Sequence, residues 1–332
     1  MEKAGALWIA SGENAGLERS TINQRKSHLD HHIIPMIGQT LLSKLTVPLV
    51  RDFEDRLRKA DRSPAMVKKL LTSLGSIISD ASERGLATRN PVRDIRSSRK
   101  GRDRRQEKRQ KGRVEVGVDI PTRDEIKAFV AALDAHWRPL LVTAVFTGMR
   151  SSELRGLRWQ DVNFKRAEIS VTQRADEFGE IGPPKSEAGV RTIPVPPLVI
   201  NALKEHKLKQ AGSPIYVFAN PEGEPRSHAN IVQKGLWPAM VKAGVTLPGK
   251  KIGKDGEPLP KAKYAGMHAL RHFYASWLIN RKEDGGLGLP AKMVQERLGH
   301  ASIVMTMDVY GHLFPRTDDG TELAQAANIL LS

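Results

Sequence analysis

Cysteine is absent from all 332 residues, which removes a disulfide framework, a thiolate nucleophile and Cys-ligated zinc from consideration. Long apolar runs are missing too, and no stretch approaches the roughly 18 consecutive apolar residues of a membrane span. Glu13, Asn14 and Glu18 interrupt the first twenty residues. They deny that segment the apolar centre of a signal peptide and point to a protein that stays in the cytoplasm. There is no Walker-type phosphate loop for ATP, and no Asp/Glu cluster of the kind that gathers catalytic metal ions, so no cofactor is expected. Acidic residues are the minority charge: 37 Asp plus Glu stand against 53 Lys plus Arg, for a formal charge of +16 and a pI near 10.0. A field of this sign draws polyanions. DNA is the densest common one, and such binding weakens steeply with salt. The blander alternative, a basic protein of the ribosome-associated kind, fits the same charge.

What is present organises the chain into parts. A length of 332 residues exceeds one compact core and reads as two domains. Residues 1–95 read as a small helical unit. One helix runs from Thr21 to Ile34 and is broken by Pro35. A second is capped by Thr46, with Pro48 in its first turn. A third opens at Ser63-Pro64 and closes at Gly85, with Met66, Leu70, Leu71, Leu74, Ile77 and Ile78 at helical spacing. Residues 96–120 form a linker by composition. From Arg96 to Arg113 there are ten Lys or Arg and two acids, a net of +8. A segment so poor in apolar residues cannot bury a core, is expected to be flexible when free, and suits tracking a phosphate backbone.

Residues 121–315 read as a second domain. It opens on the capping box Thr122-Arg123-Asp124-Glu125. An apolar helix over Leu140–Phe146 stops at Gly148, and β-branched runs at 168–172 and 191–195 suggest a small antiparallel sheet. Pro196-Pro197 opens a helix to about Lys209, 216–218 offers a further strand, 250–263 reads as a Gly/Pro/Lys loop, and helices dominate from His268 to Tyr310. Residues 316–332 read as a tail helix, with Leu323, Ala326, Ala327, Leu330 and Leu331 on an amphipathic pattern.

A handful of residues carry chemistry. His268 and Arg271 stand three apart, so on a helix they share a face. Gly299-His300 follows a helical stretch, Tyr310 lies ten residues on, Arg150 follows Gly148, and Lys185 sits in the Gly182-Pro-Pro-Lys185 turn. Singly, each has an ordinary reading: a surface pair, a helix-end histidine, a core tyrosine, a turn lysine. Together they are the residue types that phosphoryl transfer by a tyrosine requires. Guanidinium forks and an imidazole can hold the non-bridging oxygens of a phosphodiester under attack. A phenol of ordinary pKa about 10 needs a base or an electropositive pocket. The departing 5′-oxygen needs a proton, for which a lysine is suited. Lys204, Lys207 and Lys209 compete with Lys185 for that last role.

Thr147-Gly-Met-Arg150-Ser-Ser-Glu153-Leu154, His268-Ala-Leu-Arg271-His272-Phe273, Leu298-Gly-His300 and Val309-Tyr310-Gly-His312-Leu313 resemble the motifs of tyrosine recombinases, the phage integrases and their Xer relatives. The resemblance spans essentially the whole chain and is strongest from Thr122 to Leu313. It implies a mainly α fold with a small antiparallel β-sheet, arranged as a two-domain C-shaped clamp. In that clamp a helical core-binding (SAM-like) domain closes over the far side of the duplex from an α+β catalytic domain. It implies that Arg150, Arg271 and His300 bind the scissile phosphate and that Lys185 is the general acid. His268 would assist proton transfer, and Tyr310 would be the nucleophile of a 3′-phosphotyrosyl intermediate, with neither metal nor ATP. The implied partners are double-stranded DNA and three further copies in a tetramer, with the tail helix docking on a neighbouring subunit. There is room besides for a DNA-bending or excision factor, and no membrane is involved.

The implied role is site-specific integration or excision of a prophage or genomic island, in a bacterial or phage-encoded protein associated with the nucleoid. An Xer-type resolvase, a type IB topoisomerase and a non-catalytic DNA-binding protein of this fold are the alternatives. Three features depart from the family pattern. Ser151 stands where an apolar residue is usual, Met305 where a threonine is frequent, and the 96–117 and 247–263 segments are longer and more basic than in compact members. The core-binding pattern begins almost at the first residue, so an arm-binding domain is either absent or precedes the sequence as given.

Overall fold

The computed structural model describes residues 1–98, 113–210, 212, 214–253, 256–315 and 320–331. Most of the basic segment expected to be flexible, residues 99–112, lies outside them. The chain divides into two compact units, Met1–Glu107 and Lys108–Ser332. Among the described residues the first is helical throughout and the second combines helices with small antiparallel sheets. The fold is therefore mainly α with a minor antiparallel β component.

The first unit comprises α1 (Glu2–Asn14), α2 (Arg19–His28), α3 (Ile34–Ile37), α4 (Val47–Lys59), α5 (Pro64–Glu83) and α6 (Pro91–Ser98). Helix α5 anchors it. The Ser63 hydroxyl accepts from the Met66 amide at 3.3 Å, Pro64 occupies the first turn, and Gly85 terminates the chain direction at φ +72°. Leu70, Leu74 and Ile77 recur at i, i+4 and i+7 and are fully buried. Each contributes about 1.5–3 kcal/mol of burial. Helix α1 has no counterpart in the sequence reading. Ala4, Trp8 and Ile9 are buried from it, and a Cβ at Gly5 would overlap the end of the Leu29 side chain and force it to shift.

Two expectations for this unit fail. Pro35 does not break the helix; α2 instead widens into a π-turn over Leu29–Ile33 and continues into α3. The wider turn restarts the α-helical ladder so that Pro35 falls in a first turn, where its missing N–H costs nothing. The second unit repeats the device, with a π-turn over Ile231–Leu236 ahead of Pro238. Thr46 does occupy the N-cap position of α4, but its side chain makes no capping bond.

The second unit opens on α7 (Arg123–Ala132), where the Thr122 hydroxyl accepts from the Glu125 amide and the Glu125 carboxylate accepts from the Thr122 amide. Then come α8 (Arg138–Thr147), buried almost all round, and the five-residue α9 (Ser151–Arg155). Strands β1 (Val162–Asn163), β2 (Glu168–Val171) and β5 (Arg191–Pro194) form an antiparallel sheet in that spatial order, with Ile169 opposite Ile193 on the core face. Strands β3 (Arg174–Ala175) and β4 (Ile181–Gly182) form a separate hairpin.

Helix α10 (Pro197–Lys209) packs against α8, followed by α11 (His228–Asn230), its π extension, and α12 (Trp237–Lys242). Residues expected as a loop over 250–263 belong to a hairpin of β6 (Thr246–Ile252) and β7 (Pro258–Ala262). Its prolines are tolerated because both strands of a two-stranded ribbon are edges. The strand suggested near 216–218 reduces to a single bridge between Tyr216 and Arg158. Helices α13 (His268–Ile279), α14 (Ala291–Leu298), α15 (Ile303–Tyr310) and α16 (Gly320–Leu331) complete the unit. Among the described residues, no helix is long and apolar enough to cross a membrane.

Candidate active site

Two helix ends deliver two of the chemistry-bearing side chains. Helix α8 closes on Gly148 in the left-handed conformation at φ +58°, and α14 closes on Gly299 at φ +65°. Neither turn tolerates a side chain, because a Cβ on Gly148 would strike Tyr274 and one on Gly299 would come within 2.9 Å of the Ala188 carbonyl. Arg150 follows the first turn and His300 the second. The freed carbonyls then serve as anchors. Gly148 accepts from Arg271 Nη1 at 2.6 Å, Leu298 from Arg271 Nη2 at 2.5 Å, and Gly299 from Arg150 Nη2 at 3.3 Å.

Arg271 projects from α13 and is 2% exposed. Arg150 stands at the start of α9, its side chain 31% exposed, so the pair offers one guanidinium locked in the wall and one facing outward. Beside Arg150 lies Glu153, buried, which accepts from Arg150 Nη1 at 2.8 Å and from Arg191 Nη2 at 2.9 Å. Burial alone would raise the pKa of that carboxyl. The Arg191, Arg150 and Arg271 charges outweigh burial and hold it below the usual carboxylate range. Three guanidiniums against one carboxylate leave the cluster at +2, a fixed electropositive cradle suited to an oxyanion.

The imidazoles here are held neutral. Burial first, and then the Arg271 and Arg150 charges, press the His300 pKa down to about 3 and lower that of His268. Burial and then the neighbouring His268 bring His272 to about 4. Burial with Arg150 close by lowers Arg271 to about 9. Tyr310 ends α15 with 1% of its surface exposed. Burial pushes its phenol up to about 12, against the downward pull of Arg271 and Arg150. Its ring stacks on His300 with centroids 6.3 Å apart and planes 4° from parallel, and its hydroxyl lies 2.7 Å from His272 Nδ1.

Arg150, His268, Arg271, His300 and Tyr310 thus converge from α9, α13, the turn after α14, and α15. Lys185 is exposed in the turn after β4, and among the described residues no hydrogen bond ties it to the cluster. That turn nonetheless borders the site. The Ala188 carbonyl abuts Gly299, and the Gly189 carbonyl accepts from Arg191 at 2.9 Å. Of the competing lysines, Lys207 lies on α10 over the rings of Trp159 and Phe164, at 5.3 and 5.6 Å.

Sequence reasoning missed three supporting residues. Arg191 is hidden in a β-branched run yet pairs with Glu153 and donates to the Arg297 carbonyl at 2.8 Å. Thr306, fully buried, holds His300 Nδ1 at 2.9 Å, and Gln295 donates to the His300 carbonyl at 3.0 Å. The Ser151 hydroxyl, one of the departures from the family pattern, lies 2.7 Å from His228 Nδ1 on α11. Exposed Met305 shares α15 with Tyr310, while its neighbour Thr306 faces inward.

Comparison with known proteins follows the same outline. Residues 121–316 match the model of the phage integrase family, and residues 1–98 match that of the phage integrase central domain. The chain is 26% identical over 283 residues to "Tyrosine recombinase XerC-like" of Caldanaerobacter subterraneus, covering 80% of this chain and 67% of that one. It is 24% identical over 316 residues to the ICEBs1 integrase of Bacillus subtilis, covering 93% and 78%. Among solved structures, the Tn1549 transposon integrase in complex with transposon right end DNA superposes with a TM-score of 0.72 at 20% identity. It covers 98% of this chain and 99% of that one, a likeness of fold.

Proposed function

The chain belongs to the phage integrase family, and from that premise we propose that it is a site-specific DNA recombinase that cuts and rejoins strands through a 3′-phosphotyrosyl intermediate. The observation that carries the proposal is the meeting of one phenol with an arginine-rich cradle. Tyr310 stacks on His300 and feels the charges of Arg271 and Arg150. Arg150 and Arg271 grip the non-bridging oxygens of the scissile phosphate, and His300, fixed by Thr306, completes the cradle. Tyr310 attacks phosphorus while the bond to the 5′-oxygen breaks. Lys185 supplies the proton that the departing oxygen takes, and His268 assists proton transfer. Reversal by a 5′-hydroxyl from another strand completes the exchange.

The substrate is double-stranded DNA, which a net charge of +16 favours. The working assembly is a homotetramer on two paired sites. Val304, Met305 and Met307 are exposed on α15, and Leu330 and Leu331 on α16. Apolar surfaces of that kind support contacts between copies. The biological step is integration or excision of a prophage or genomic island at the nucleoid, with a DNA-bending or excision factor as a further partner.

A nicked suicide substrate, from which the cleaved end diffuses away, tests the chemistry in EDTA. The full chain is expected to form a denaturation-resistant DNA adduct, and Tyr310→Phe to form none while still shifting duplex DNA in a gel. An adduct that survives in Tyr310→Phe refutes the assignment of the nucleophile. Absence of any adduct with the unaltered chain, on DNA flanking its gene, favours a binding protein of this fold.

A further inference from the structure

The roles assigned above leave the phenolic proton without a stated first acceptor, and the geometry around Tyr310 supplies one. We propose that His272 is the catalytic base that takes the proton of Tyr310 as the phenol attacks phosphorus. The proposal rests on the recombinase reading. Tyr310 closes α15 and His272 lies on α13, 38 residues away in sequence, yet the hydroxyl stands 2.7 Å from Nδ1. With the imidazole proton on Nε2, that separation makes a strong O–H···N bond, and it is the hydroxyl's one hydrogen bond among the described residues. The rings meet edge to face with centroids 5.7 Å apart. His268 is one turn earlier on α13 and meets the His272 ring edge to face at 4.7 Å. It is a neighbour of the base, one residue removed from the phenol.

Proton and bond changes balance. The phenolic O–H bond breaks as an N–H bond forms at Nδ1 of His272. The tyrosyl oxygen bonds to phosphorus, the bond to the 5′-oxygen breaks, and that oxygen takes the proton of Lys185. Rejoining reverses each step, with His272 returning the proton to Tyr310. An acceptor must be neutral beforehand, and the groups around His272 ensure it. His268 and Arg271 from its own helix disfavour a positive imidazole, and burial does so more strongly. Asp119, from the turn ahead of α7, pulls the other way, and Tyr310 is the group faced on α15. The same positive surroundings disfavour keeping the proton, so the imidazolium is a short-lived state and the step stays reversible.

Single-turnover adduct formation tests this with the full chain on a suicide substrate carrying a bridging 5′-sulfur, whose low-pKa leaving group dispenses with Lys185. His272→Gln keeps an acceptor atom for the hydroxyl but cannot be protonated. It is expected to lower the rate about 10²–10³-fold with DNA affinity and melting temperature retained. The wild-type rate should be flat from about pH 6 to 9, since the base is already neutral. The variant's rate should climb about tenfold per pH unit as ionised phenol replaces the missing base. In His272→Ala, added imidazole should restore part of the rate. A His272→Gln enzyme as fast as wild type with the same flat profile overturns the assignment, as does a faster one, which would make the contact a restraint on Tyr310. Absence of adduct with the unaltered chain overturns the recombinase reading itself, a result distinguishable from either.

Discussion

The arginine cluster and the Lys185 turn place cations in opposite ways within one unit. Arg271 is buried and bonded to two carbonyls that exist because α8 and α14 end on left-handed glycines, and Arg191 is locked between Glu153, Gly189 and Arg297. Lys185 is exposed on a turn only four residues before Gly189. The difference teaches where the fold invests rigidity. The group that holds a charged phosphate is assembled in advance, since preorganised dipoles and charges act without rearrangement when the reaction occurs. A proton donor for the leaving oxygen has to reach an atom that only bound DNA supplies, and a mobile four-carbon stem on an open turn suits that task.

Removing the carboxylate at the centre of the cluster is the harshest way to break this contrast. Glu153→Gln preserves shape but leaves Arg150, Arg191 and Arg271 without their counter-charge in a buried site. The expected loss is about 3–5 kcal/mol, a fall in melting temperature of roughly 10 °C or more for a unit of this size. Tryptophan fluorescence follows it well, because four of the five tryptophans, Trp137, Trp159, Trp237 and Trp277, lie in the second unit. A variant that melts with wild type would mean that the cluster is not preassembled. Lys185→Ala should do the reverse. Its melting should move by less than about 0.5 kcal/mol, while adduct formation slows about 10²–10⁴-fold on ordinary DNA and recovers on the bridging-sulfur substrate. Failure to recover would take Lys185 out of the proton-donor role and return Lys204, Lys207 and Lys209 to contention.

The same contrast explains what was legible in the sequence. Local patterns were: the Thr122 capping box, the Leu70–Leu74–Ile77 stripe, the glycine stops at 148 and 299, and the separate short motifs that carry Arg150, His268, Arg271, His300 and Tyr310. Each depends on residues within about one or two helical turns of one another, where period and capping chemistry speak directly. Contacts across the chain were not. Arg191 reads as one more residue of a strand, and its partner Glu153 is 38 positions away. The hydroxyl that meets His272 is as distant. Pro35 misled for a different reason: it looks like a stop until a π-turn resets the helix ahead of it. The prolines of β6 and β7 look like loop until the ribbon turns out to have no interior strand.

Acid sensitivity gives the gentlest probe of the preassembled half. His272 and His300 are held near 4 and 3, well below the ordinary value of 6.5, because the folded cluster favours their neutral forms. Below pH 6.5 the unfolded chain therefore binds protons that the folded chain refuses, and stability falls as pH falls. The contribution is fully present above about pH 6.5 and is lost progressively towards the two folded values. Between pH 7.5 and 5.5 each histidine should account for about 1 kcal/mol, less than the loss expected from Glu153→Gln. His28, His32, His206, His228 and His268 are depressed in the same direction, so the wild-type slope alone does not isolate the site. The difference between wild type and a His272→Gln, His300→Gln double variant does, and that variant should lose less stability over the same interval. Lys185→Ala should track wild type throughout, since the Lys185 side chain is exposed. Parallel acid curves for wild type and the double variant would mean that these two imidazoles are solvated, and that the rigid half of the site is looser than its bonds imply.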